Sequence, residues 1–194
     1  ILADEAAIVE QQNKVAIKEI LLFKEKYKLK SNINSDIDKF IKEISKDSVL
    51  PNPNKKALDA LENANFIIYG PGTQHSSLFP SYLTIGVAES IVKNNKAEKI
   101  FIGNVKTDNE IEVETVNTLC IKLHHFLSRR GEFIFKHKDI ANRYFIQRPS
   151  FNEPNQIPFD KNKFLFEYDQ LLLEDWELGV GKHRGGMIIG EISN

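Results

Sequence analysis

Residues 66–79 read FIIYGPGTQHSSLF, and this stretch decides the fold class. Phe66-Ile67-Ile68-Tyr69 is a short apolar run that stops at Gly70-Pro71-Gly72, the pattern of a buried strand running into a tight turn. Thr73, Ser76 and Ser77 supply hydroxyls, and an apolar pattern with helical spacing follows from Leu83 to Val92, predicting a helix over 83–94. Strand, glycine turn, hydroxyls and helix is the order in which nucleotide-binding folds receive phosphate. Glycine lets the backbone approach the ligand, and amides and hydroxyls near a helix N-terminus point at the anion. The spacing is neither G-x-G-x-x-G nor G-x-x-x-x-G-K-[ST], since the third glycine and the lysine are missing. From spacing alone the loop is either a phosphate cradle or a turn that merely reverses the chain.

Outward from this loop, Lys99-Ile100-Phe101-Ile102-Gly103-Asn104 reads as a second short buried strand. Two such strands joined by a helix make a βαβ unit with parallel strands, whose ligands gather at the carboxyl ends. Gly70 and Asn104 both stand at such ends and are expected to be neighbours. Upstream, Pro51-Asn52-Pro53-Asn54 is a turn before a helix over 55–63. Residues 24–50 are rich in Lys, Asn, Ser and Asp and read as an exposed insertion with a short helix near Asp36–Ile44. Downstream, Val116, Leu119, Cys120, Leu123, Phe126 and Leu127 predict an amphipathic helix over 113–128, ended by Gly131. His124 and His125 point about 100° apart on it, so they cannot share a metal and are assigned surface or cap positions. Phe133-Ile134-Phe135 and Leu171-Leu172-Leu173 are strand candidates, with Glu174-Asp175 at the end of the second. Pro149, Pro154 and Pro158 mark a loop over 147–163, and Gly179–Gly186 is a second, basic loop before Met187–Ile192.

The chain has 194 residues, enough for a single domain over 1–194 with a substantial core. Apolar residues make up 41% and charged residues 27%, and net charge is −1. That balance gives no overall attraction to nucleic acid or an anionic membrane. Arg129-Arg130 and Lys136-His137-Lys138 read as solvated basic faces. The single cysteine, Cys120, excludes an internal disulfide and a Cys-rich metal site, and its apolar helical setting marks a packed thiol. No apolar run is long enough to span a bilayer and no signal peptide is visible, so a cytoplasmic location is expected.

Ala57-Leu58-Asp59-Ala60-Leu61, Ala64-Asn65 and Phe66 to Thr73 together resemble a stretch of the CofD-like family. That family includes 2-phospho-L-lactate transferase and the YvcK-type gluconeogenesis factors. Its members read as an "ALEAI-x-x-AD" helix, an apolar strand and "GPGSLYTSI-x-P-x-L". The match continues through Ser76, Ser77, Leu78, Pro80 and Leu83, and Gly86-Val87-Ala88-Glu89-Ser90-Ile91 is similar to the family's "GIAEAI". Asn104-Val105-x-Thr107 looks like its "NLMT" strand end, Glu114-Thr115 like its "ET", and Asp4-Glu5-x-x-Ile8 like its "GE-x-x-I". Leu173-Glu174-Asp175 and Lys182-His183-Arg184 loosely resemble its last strand and "RHD" segment. Thr73-Gln74-His75-Ser76 replaces Ser-Leu-Tyr-Thr, Lys106 replaces Met, and Asn65 replaces the usual Asp. The family's N-terminal half, with its first strand, "GGTG" loop and acidic residues, has no counterpart in this sequence, so a fragment of a longer protein is expected.

The resemblance implies an α/β fold, the C-terminal portion of a Rossmann-like three-layer parallel sheet. It implies a nucleotide or nucleotide-sugar ligand held by Gly70, Pro71, Gly72, Thr73, Ser76 and Ser77, with Asn104 and Thr107 on the neighbouring strand end. His75, in place of a tyrosine, is given a stacking or rim role, or none. No catalytic residue and no metal ligand are assigned in this chain. Mg2+, if used, is expected through the absent N-terminal half. The alternatives are a metal-dependent transferase resembling 2-phospho-L-lactate transferase and a half-domain without activity. A half-domain leaves a sheet edge uncovered, so self-association or pairing with the missing N-terminal segment is expected.

Overall fold

The computed structural model describes residues 15–25, 36–149 and 155–174. Its centre is a four-stranded sheet, β1 (Phe66–Tyr69), β2 (Glu98–Ile102), β3 (Arg143–Gln147) and β4 (Gln170–Glu174), in the order β1-β2-β3-β4. All three pairings are parallel, with Ile68 opposite Ile100, Ile100 opposite Arg143 and Arg143 opposite Gln170. This is the α/β parallel sheet that the sequence predicts.

Helices α1 (Ile37–Ile44) and α2 (Lys55–Asn63) precede the sheet. Asp36 caps α1 by accepting from the Lys39 amide, and Asn54 caps α2 by accepting from the Lys56 amide. Between β1 and β2 lie a π-helical turn (Gln74–Leu78), α3 (Phe79–Tyr82) and α4 (Val87–Lys93). The single helix expected over 83–94 is therefore corrected to start at Val87. The reason is Gly86, whose φ of +83° belongs to the left-handed region and whose Cβ position would lie 2.9 Å from Leu58 Cδ1. α5 (Val116–Leu127) joins β2 to β3, begun by a capping box in which Thr115 and Thr118 bond each other's backbone amides. α6 (His137–Ile140) is one short turn before β3.

Alternation along the strands fixes the core. Ile67, Tyr69, Phe101, Tyr144 and Ile146 point to one face, where they cluster with Ala88 and Ile91 of α4 and Leu119, Cys120, Leu123 and Phe126 of α5. Phe79 is fully buried and stacks on Phe126 with ring centroids 4.9 Å apart. Ile157 and Phe159 close the cluster from the loop before β4.

Two other sequence expectations are corrected. Phe133–Phe135 is not a strand; Ile134 is 99% exposed, and the Arg129 guanidinium lies 4.5 Å from the centre of the Phe133 ring. β3 carries no clear strand pattern in the sequence, because Arg143 and Gln147 at its ends mask the apolar alternation of Tyr144 and Ile146. Arg143 is held there by Glu98 on β2 at 2.6 Å. The expectations for Asp4–Ile8, Asp175 and residues 179–192 lie outside the described residues.

Candidate functional site

The carboxyl ends of β1 and β2 meet as expected. Asn104, just past β2, donates through Nδ2 to the Gly72 carbonyl at 3.0 Å and accepts through Oδ1 from Gln74 Nε2 at 2.8 Å. Asn104 and Gln74 are both buried, so their side chains hold the shape of the turn from beneath. Gly70, Pro71, Gly72 and Thr73 form a half-buried rim above them. A Cβ at Gly70 would meet nothing within 4 Å, and one at Gly72 only Leu78 Cδ1 at 3.8 Å. The turn is therefore open on the side where glycine matters for close approach. Thr73 Oγ1 donates to Ser77 Oγ at 2.8 Å. Among the described residues no acceptor is found for the amides of Gly72, Thr73 and Gln74.

The next amides have a different fate. Glu110, buried in the segment after β2, accepts from the His75 amide at 3.0 Å, from the Ser76 amide at 3.3 Å and from the Ser76 hydroxyl. A carboxylate of the protein itself thus occupies the anion position at the start of the π-helical turn. Ser76 faces this internal partner, whereas Ser77 is exposed. Thr107 lies further along, its amide and hydroxyl both donating to the Asn155 carbonyl, at 2.8 and 3.2 Å.

His75, for which a stacking role, a rim role or none is expected, is fully buried and so does not lie on the rim. Its ring meets Phe79 edge-on at 5.2 Å, and its Nε2 lies 3.0 Å from Lys122 Nζ. Lys122 also bonds Glu114 and the Ile17 carbonyl, the latter at 2.7 Å, while Glu114 accepts from Thr118 Oγ1 at 2.6 Å. Burial, reinforced by the Lys122 charge, lowers the His75 pKa to about 3. The neutral ring therefore accepts from Lys122 and carries its proton on Nδ1, a buried atom with no partner. His75 is a packed support of the turn. Its signal in the sequence is the tyrosine it replaces, a residue of similar bulk.

His124 is corrected too. It is a half-buried core-edge residue stacked on Phe166 at 4.5 Å, with Tyr144 Oη 3.3 Å from its Nε2. Burial and neighbouring His137 lower its pKa to about 3. His125 pairs with Glu19 at 2.9 Å. Neither histidine joins a metal cluster, and among the described residues no group of three His, Cys, Asp or Glu side chains could hold a metal ion. The two buried carboxylates nearest the turn do not fit a divalent cation, because Glu110 is taken by His75 and Ser76, and Glu114 by Lys122 and Thr118. Glu110 and Lys122 are the residues that sequence reasoning missed. Glu110 sits 34 positions from Ser76 in a polar stretch with no periodicity, and Lys122 looks like any charged residue on an amphipathic helix.

Comparison with known proteins places this architecture. Residues 3–167 match the family model described as 2-phospho-L-lactate transferase CofD. A gluconeogenesis factor of Halalkalibacterium halodurans is 39% identical over 57 residues, which cover 29% of this chain and 17% of that protein. A Thermotoga maritima protein bearing the gluconeogenesis-factor name is 32% identical over 80 residues, 41% of this chain and 25% of that protein. A crystal structure of a Bacillus halodurans protein of the UPF0052 family superimposes with a TM-score of 0.51 at 18% identity, over 64% of this chain and 41% of that one. A second structure from Bacillus halodurans gives a TM-score of 0.52 at 19% identity, covering 64% and 40%. The matched stretches span a quarter or less of the curated relatives and about two fifths of the solved chains. With its parallel sheet, its glycine turn and a family match over most of its length, the chain belongs to the CofD family.

Proposed function

We propose that the Gly70–Gln74 turn holds the phosphate of a nucleotide or nucleotide-sugar. The observation that carries this reading is the run of amides at Gly72, Thr73 and Gln74 without acceptors, at the carboxyl end of β1 beside Asn104. Successive free amides on an open glycine turn form an anion-binding concavity. Thr73 and Ser77 add hydroxyls at its rim. Asn104, Gln74 and Glu110 act as positioning residues, fixing the turn before the ligand arrives, and Thr107 borders the site. Fixed donors and geometry suffice for holding a phosphate ester, and no covalent nucleophile is required of this chain.

The second reading is a metal-dependent transferase, favoured by the description of the matching family model. In that case acidic metal ligands come from outside the described residues.

Thermal shift of the native gene product with UDP-sugars, NAD, GDP and GTP, with and without magnesium, tests the proposal. Ligand at about a hundred times its Kd stabilises the folded state by about 2.7 kcal/mol. Gly70→Val adds bulk where nothing lies within 4 Å, so it is expected to keep the melting temperature of the free protein and abolish the shift. A shift that needs magnesium favours the transferase. The proposal fails if no nucleotide stabilises the protein, or if Gly70→Val binds as well as the parent.

A further inference from the structure

We propose that Lys122 is a positioning residue for the phosphate turn, acting through the ring of His75. The inference rests on the reading of Gly70–Gln74 as a phosphate cradle. A lysine on an amphipathic helix ordinarily keeps its ammonium in water. Lys122 does the reverse. Its side chain is 16% exposed, and its three N–H groups meet three acceptors: the Glu114 carboxylate, the Ile17 carbonyl at 2.7 Å and His75 Nε2 at 3.0 Å. Glu114 balances the charge and is itself held, since its other oxygen accepts from Thr118 Oγ1 at 2.6 Å. The ammonium is therefore fixed from outside its own helix, and its third proton is aimed at the residue that follows Gln74.

His75 depends on that contact. Its ring is fully buried, its Nδ1 has no partner, and Glu114 Oε1, at 3.9 Å, is too distant to bond Nε2. Among the described residues Lys122 is thus the one hydrogen-bond partner of the ring, and Phe79 meets it only edge-on, at 5.2 Å. Donation from Lys122 needs the lone pair of Nε2 and so places the ring proton on Nδ1. Without the ammonium both ring nitrogens are buried and unbonded, which drives the ring toward water. The ring cannot swing alone. The His75 amide is bonded to Glu110 at 3.0 Å, and one residue earlier the Gln74 side chain is bonded to Asn104 at 2.8 Å. A moving ring strains the chain between these two anchors, next to the open amides of Gly72, Thr73 and Gln74. Asn104 and Glu110 hold the turn from its polar side. Lys122 holds it by the ring that the turn sends into the core.

Nitrogen-15 NMR of the histidine rings in the native gene product tests this, together with titrations of UDP-glucose, NAD, GDP and GTP. The His75 signals are assigned by their loss in His75→Phe. The parent ring is expected to be neutral, with its proton on Nδ1. Lys122→Met keeps the aliphatic stem and removes the donor. It is expected to mix or reverse the tautomer and to weaken nucleotide binding about tenfold, the worth of one charge-assisted hydrogen bond. Lys122→Arg retains a donor and is expected to keep the tautomer and bind within about threefold of the parent. Thr118→Val loosens Glu114 in the same cluster. It is expected to lower the melting temperature while leaving the tautomer and the affinity in place. A proton on Nε2 in the parent overturns the proposal. Nucleotide binding weakened as much by Thr118→Val as by Lys122→Met also overturns it, leaving Lys122 a stabilising ion pair only. If the parent binds nucleotide and Lys122→Met binds it equally well, this inference alone fails. If the parent binds none of the four, the phosphate reading fails and takes this inference with it.

Discussion

Replacing Glu110 with alanine is the sharpest probe of the turn. The Glu110 carboxylate accepts three hydrogen bonds, from the His75 amide, the Ser76 amide and the Ser76 hydroxyl, and it is 3% exposed. Each hydrogen bond to a charged group contributes about 1.5–3 kcal/mol, and an orphaned buried donor costs about 1–3 kcal/mol. The three bonds share one acceptor and are not additive. Ser76 is only partly buried, so its groups can recover water after the change. The expected loss is therefore about 3 kcal/mol, a large part of the roughly 5–15 kcal/mol that a domain possesses. Glu110→Gln keeps a carbonyl oxygen for the amides and offers an N–H to the Ser76 oxygen, so its loss is expected near 1 kcal/mol. Asp59→Ala, on the exposed face of α2, should stay within about 0.5 kcal/mol. Urea unfolding measures all three, with an unchanged m-value showing that only stability has moved. If Glu110→Ala loses no more than Asp59→Ala, the carboxylate does not frame the turn and the reasoning is refuted.

Gly86→Ala is expected to destabilise by about 2 kcal/mol, since it forces alanine to positive φ with its Cβ 2.9 Å from Leu58. Gly70→Ala, by contrast, should be neutral in urea unfolding. Phe79→Ala empties a fully buried site stacked on Phe126 and is expected to lose about 3–5 kcal/mol. A loss under about 1.5 kcal/mol would mean the core collapses around the gap. His75 and His124, both held near pKa 3 by burial, bind protons in the unfolded state below about pH 6.5 but not in the folded state. Their contribution is complete above pH 6.5 and drains as pH falls toward 3, by up to about 1.4 kcal/mol per pH unit for each. His75→Phe should flatten the acid limb of a stability–pH profile, and an unchanged slope would show that His75 is protonated in the folded state.

Much of this architecture was legible because it is written in local pattern. Phe66–Tyr69, the glycine turn, the helix over 55–63 and the amphipathic α5 each carry their period or their caps in a few residues. The nearness of the Gly70 turn to Asn104 follows from one parallel βαβ rule, and the bond itself reaches Gly72, two residues on. β3 escaped because its ends are polar and its ion pair with Glu98 exists only after the strands assemble. The apolar spacing after the turn predicts too long a helix because a single left-handed glycine outweighs it. The framing of the site escaped for a different reason. Glu110 reaches His75 and Ser76, and Lys122 reaches His75, across sequence separations of 34 to 47 residues. No local signal encodes such a contact, so neither the burial of His75 nor the bonds from His75 and Ser76 to Glu110 could be read from the sequence.

The strand order has a consequence for biosynthesis. Spatial order and chain order coincide throughout the described sheet, and every neighbour is parallel. Each new strand, as it leaves the ribosome with its crossover, finds the strand it must join already made. Growth proceeds in one direction, by accretion, without any strand having to insert between two earlier ones. Domains commonly form during synthesis at about 5–20 residues per second, and a sheet of this order can follow that pace. Among the described strands β4 is made last, and it joins a β3 already in place.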